Sequence, residues 1–104
     1  MVSMPESSSE LGRPLIVDSD INFLASLIRH PKAEQIKPHT TTSGKQAQLV
    51  ITNPKNKIAA VFINIELPDN YSLSVIRCVH LSRPSVPIFL LRDIGQDMPW
   101  TDKE

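Results

Sequence analysis

The sequence predicts an α/β fold, a doubly wound parallel sheet built in the order β-α-β-α-β-α-β. Three observations carry that expectation. "IAAVFI" at residues 58–63 and "IFLL" at 88–91 are apolar with no polar alternation, the pattern of strands covered by helices on both faces. "PLIV" at 14–17 is a third such run, stopped abruptly by Asp18. Segments of helical periodicity separate the runs, and short connections between such units imply right-handed crossovers into a parallel sheet.

Each element follows from local chemistry. The first thirteen residues, "MVSMPESSSELGR", hold few large apolar groups and are expected to form a flexible leader. The ordered domain is expected over 14–93, and a tail over 94–104. After the first strand Asp20 is a suitable N-cap, and Ile21, Leu24, Ala25 and Ile28 fall at helical spacing. "PKAEQIKPHTTT" is polar and holds two prolines, so it has room only for a short or edge strand around Gln35 to His39. Thr42 or Ser43 then caps a helix whose stripe is Ala47, Val50 and Ile51, ended by the breaker "TNPKN". The third strand leads to a helix patterned by Leu73, Val75, Ile76, Val79 and Leu81, and "SRPSVP" separates it from the fourth strand.

Composition narrows the function. Eleven basic and eleven acidic residues cancel, so no net field recruits nucleic acid or an anionic membrane surface, and no run of Lys or Arg makes up for it locally. Neither partner is expected. The single Cys78 has no internal disulfide partner and suits a buried thiol in a reducing compartment. With no apolar run of membrane-spanning length and no secretory signal pattern, a soluble cytoplasmic protein is expected. His30, His39 and His80 lie far apart with no ligand spacing, and Gly12, Gly44 and Gly95 form no phosphate loop. No metal or cofactor is expected.

In a parallel sheet of this kind ligands sit at the carboxyl ends of the strands, where strand order switches. Asp18, Ser19 and Asp20 leave the first strand there, Asn64, Ile65 and Glu66 the third, Arg92 and Asp93 the fourth. Adjacent first and third strands would bring Asp18 or Asp20 to Asn64, with Glu66 as a further candidate in the same crevice. Such an acidic pocket suits Mg²⁺, which takes one or two carboxylates and completes its shell with carbonyls and waters. The competing reading is a pair of acids that cap helices in solvated loops. Ser19 has no histidine placed beside it and is best read as a helix-start serine.

"PLIVDSD" with the helix that follows, "VFINIELPDNYSLSVIR" with its proline four residues past Asn64, and "PSVPIFLLRD" together resemble the receiver domain of bacterial two-component response regulators. The resemblance covers about residues 14–93 and implies the flavodoxin-like, CheY-like form of the fold. In receivers the acids after the first strand hold Mg²⁺, and an Asp ending the third accepts phosphate from a histidine kinase. A hydroxyl after the fourth strand and a lysine after the fifth stabilise the acyl phosphate. Carried over, Asp18 matches the first acid, but Ser19 stands where a second is usual and Asp20 follows it. Asn64 occupies the phospho-acceptor position, and Arg92 the switch position. Tyr71 and Ser72 replace an acid-glycine pair, and the last strand and helix are absent.

These departures imply a degenerate pseudo-receiver. An amide is a poor nucleophile and contributes no charge to a metal, so Asp18, Asp20 and Glu66 would form a vestigial pocket. Arg92 could lock it by a salt bridge, or point to solvent. The implied role is non-catalytic signal transduction or transcription regulation, through a protein partner, a homodimer or the output domain of a longer chain. An unpaired fourth strand would be completed by a neighbouring domain or a second copy, or marks a fragment; the fragment is the preferred expectation. "VPIFLLRDIGQDMP" is also similar to the receiver-like wing domain of bacterial ornithine, lysine and arginine decarboxylases, which implies an assembly module as the alternative.

Overall fold

The structure, a computed structural model, describes residues 12–92. The elements are β1 (Arg13–Val17), α1 (Ile21–Arg29), α2 (Ala33–Ile36), β2 (His39–Thr41), α3 (Gly44–Thr52), β3 (Ile58–Asn64), α4 (Ser72–Ser82) and β4 (Ile88–Leu91). The four strands form one sheet in the order β2-β1-β3-β4, and every neighbouring pair is parallel. The expected α/β class, compatible with a flavodoxin-like doubly wound fold, is the one found. Among the described residues no strand lies beyond β4.

Strand order decides where the helices go. The chain leaves β1 toward β2 on one side, then returns past β1 to β3 and on to β4. Right-handed crossovers in opposite directions place their helices on opposite faces. Accordingly α3 and α4 share one face with Leu15, Val17, Val61 and Ile63, while α1 packs on the other through Leu24 and Leu27 against Ile16, Phe62 and Leu91. Val17 and Ile63 are in register, as are Ile16 and Phe62, so strand alternation sends each pair to its own face.

Several local devices hold this arrangement. Pro14 sits in an interior strand without an N–H to donate, and the β1–β3 register shifts between Arg13 and Pro14 to absorb it. Gly12, at φ 97, lies where a Cβ would come within 2.9 Å of the Ala59 nitrogen. Ser43, rather than Thr42, caps α3 by accepting from the Gln46 N–H, and the Gln46 side chain accepts in return from the Thr42 N–H. Gly44 is needed for packing, since a Cβ there would meet the Tyr71 Cβ at 2.4 Å. Arg83, just past α4, donates to the carbonyls of Ile51, Asn53 and Asn56 and so closes the end of α3.

Four sequence expectations change. Gln35 and Ile36 belong to the turn of helix α2, and the edge strand begins only at His39, after Lys37 takes a left-handed φ of 52. Arg13 already belongs to β1, because its N–H is held by the Lys57 carbonyl; the remaining leader to residue 11, the tail and Trp100 lie outside the described residues. On α1 the buried face is Leu24 and Leu27, whereas Ile21 and Ile28 are exposed. On α4 Val75 and Val79 are buried and Leu73 and Leu81 point outward. In both helices a nine- to eleven-residue length lets one narrow stripe reach the sheet, and apolar residues a position outside it stay in solvent. Cys78, expected as a buried thiol, is a residue of α4 and only half-buried against the core.

Candidate functional site

Strand order 2-1-3-4 places the switch between β1 and β3, so the crevice to inspect lies beyond Val17 and Asn64. Asp18 and Asn64 meet there, both buried. The Asn64 Nδ2 donates to Asp18 Oδ2 at 3.3 Å, and the Asp20 backbone N–H donates to Asp18 Oδ1 at 2.9 Å. Asn64 Oδ1 accepts from the Glu66 N–H at 2.7 Å. Each of these oxygens therefore has an N–H donor. Such pairing is what a carboxylate removed from water requires.

The other expected site residues go elsewhere. Asp20 is exposed and turns its carboxylate to the Phe23 N–H at 3.1 Å, the N-cap bond of α1. Glu66 contributes its backbone N–H, while the residue itself is exposed. Of the acids Asp18, Asp20 and Glu66, only Asp18 is buried beside Asn64. Among the described residues no three His, Cys, Asp or Glu side chains gather as a metal site.

Of the two readings of Arg92, a lock on the acidic pocket and a side chain in solvent, the structure has the second. Arg92 is exposed one residue past β4, and no ion pair to Asp18, Asp20 or Glu66 is found among the described residues. Asp18 is held by neutral donors instead, so its position does not need a guanidinium. Asp93 lies outside the described residues.

Two further side chains fix the crevice wall: Ser72, which sequence reasoning noted only as a departure from the receiver pattern, and Asp69, which it did not single out. Ser72 is buried at the start of α4, and its hydroxyl donates to the Asn64 and Ile65 carbonyls at 3.2 and 3.0 Å. Asp69 accepts from the Lys45 N–H at 3.2 Å and the Tyr71 N–H at 3.3 Å, tying the β3–α4 loop to the first turn of α3. The signal for Asp69 was its place after a proline in a turn; nothing local marked the hydrogen-bonding role of Ser72. Thr41, at the end of β2, has a buried hydroxyl without a hydrogen-bond partner. Its register with Val17 puts it on the α3 side of the sheet, away from Asp18.

A pocket of about 420 Å³ lies elsewhere, beside the α1–α2 turn, lined by Arg29, His30, Glu34 and Lys37 among others. Beside it, burial and the Arg13 guanidinium hold the His39 imidazole below its ordinary pKa. None of the helices of the described residues is long and apolar enough to cross a membrane. No known family model matches the chain, and no curated protein matches it.

Proposed function

We propose that this chain is a non-catalytic pseudo-receiver that works without phosphorylation, by binding a protein partner or a second copy as part of a larger regulatory protein. The observation that carries the reading is Asn64, at the end of β3 and hydrogen-bonded to the buried Asp18. In the receiver family that position holds the nucleophilic carboxylate. An amide does not form an acyl phosphate, and here its N–H takes the place beside Asp18 that a cation would fill.

The edge of the sheet supports the second half of the proposal. Phe89 and Leu90 are 47% and 58% exposed, on opposite faces of β4, and an apolar edge with no partner strand among the described residues is a template for pairing with another chain. The test of the first half is incubation of the protein with acetyl phosphate and Mg²⁺, read by intact mass. An unmodified mass is expected. A stable phosphoryl adduct would overturn the proposal, and peptide mapping would then show which carboxylate carried it.

A further inference from the structure

The two outer strands of the described sheet differ in kind. β2 is three polar residues, His39–Thr41, whereas β4 is four apolar ones, Ile88–Leu91. No charged residue falls between Pro84 and Leu91. Natural edges are ordinarily guarded by lysines, inward-pointing charges or bulges. β4 pairs with β3 through all four of its residues without a register shift, so none of these devices protects it.

Backbone geometry fixes which groups this edge offers. The Pro87 carbonyl accepts from the Val61 N–H at 2.9 Å, and the Leu91 carbonyl from the Ile65 N–H at 3.3 Å. Along a strand alternate residues turn their polar groups to the same neighbour. Pro87, Phe89 and Leu91 therefore face β3, while the N–H and C=O of Ile88 and Leu90 face outward, where no described strand takes them. Pro87, which lacks an N–H, does not interrupt the outward set. The side chains alternate too. Phe89 is in register with Phe62 on the α1 face, and their rings stack at 4.9 Å. Leu90 is in register with Ile63 on the face that α3 and α4 cover.

We propose that the occupant of this edge is a second copy of the same strand, paired antiparallel about a two-fold axis perpendicular to the sheet. That axis keeps each face of the sheet on its own side, so directly opposite residues must point the same way. One register then pairs both outward residues with each other, with Ile88 opposite Leu90 of the second copy and Leu90 opposite its Ile88. Each such pair exchanges two hydrogen bonds. Phe89 meets Phe89 of the second copy on the axis, at a non-hydrogen-bonded position where cross-strand side chains come closest. The Phe62–Phe89 stack thereby continues through both copies. A slip of two residues would bring Arg92 opposite Ile88, whereas this register keeps it outside the paired strands. β4 is thus its own complement in hydrogen bonding, in apolar side chains and in freedom from charge. This inference rests on the reading of β4 as an interaction edge and names its partner. Two strands of this length bury less than the roughly 1,200 Å² of a standard interface, so the dimer should be weak and exchange rapidly.

The test is sedimentation equilibrium of the full chain from about 10 µM to about 1 mM, the range suited to so small an interface, with amide hydrogen exchange measured across the same range. The dimer fraction should rise with concentration, and exchange at the Ile88 and Leu90 amides should slow in step with it. Leu90→Lys should weaken association about tenfold or more by placing a charge in the paired segment. Leu81→Lys makes the same change at an exposed position on α4 and should leave association intact. Circular dichroism melts establish that both variants fold. A chain that stays monomeric with freely exchanging Ile88 and Leu90 amides would overturn the second copy as occupant and leave β4 open to a different partner. A monomer in which those amides are protected would overturn both this inference and the edge reading, because the edge would then be covered from within the chain. A dimer that the two variants weaken equally, or whose Ile88 and Leu90 amides stay unprotected, would place association elsewhere and also overturn the proposal.

Discussion

At the carboxyl ends of β1 and β3 three N–H groups satisfy the oxygens of Asp18 and Asn64, whereas along β4 Phe89 and Leu90 stand largely in solvent. The first region reads in sequence as a site and is closed by its own hydrogen bonds. The second reads as plain core and is open. Chemistry-bearing residue types therefore mark a site only when their polar atoms remain available, and apolar ones mark a core only when another layer covers them. β3 and β4 make the same point within one sheet. Val61, Phe62 and Ile63 are buried by helices on both faces, while β4 has β3 on one flank and nothing beyond its other edge among the described residues.

The largest expected effect tests that contrast directly. Ile63→Ala should cost about 2–5 kcal/mol in urea unfolding, the range for emptying a closed core site. Phe89→Ala should cost about 1 kcal/mol or less, chiefly its stack on Phe62 at 4.9 Å. Equal costs would mean that something covers β4 as fully as β3.

Next in size is Asn64→Asp. It exchanges the amide that donates to Asp18 for a second carboxylate at the same 3.3 Å. Loss of a charge-assisted bond together with like-charge repulsion should destabilise the fold by about 2 kcal/mol at pH 7. Stability should recover on acidification, once one of the two carboxyl groups holds a proton and donates it to the other. A variant as stable as the parent at pH 7 would show that the crevice is looser than its hydrogen bonds imply.

His39 supplies a smaller response of opposite sign. Its pKa in the folded protein lies below the ordinary 6.5, from burial first and the Arg13 charge second. The unfolded chain therefore takes up the proton at higher pH than the folded one. The associated stability is present above pH 6.5 and is lost as pH falls through the lower folded value. His39→Gln should flatten the melting temperature over that acidic window. An unchanged profile would assign the acid response to other groups.

Much of the fold was legible because the buried strands lack alternation and α3 carries its cap and stripe in full. The α1 and α4 stripes were less so: Ile21, Ile28, Leu73 and Leu81 match the helical period but lie outside the part of each turn that reaches the sheet. The turn of helix at Ala33–Ile36 was hidden because four residues between two prolines carry no periodic signal. At the site, topology brought Asn64 to Asp18 or Asp20, and only the structure selects Asp18 as its partner. The bonds from Ser72 to the Asn64 and Ile65 carbonyls were not legible, since a hydroxyl at a helix start has many equivalent uses.

The measurement that bears most directly on the closed crevice is an amide chemical-shift titration of the full chain with Mg²⁺ and then beryllofluoride. A crevice whose oxygens already have donors should give no saturable shifts at Asp18, Asp20, Asn64 and Glu66. Saturable shifts centred on Asp18 and Asn64 would contradict the account and return the site to phosphoryl chemistry.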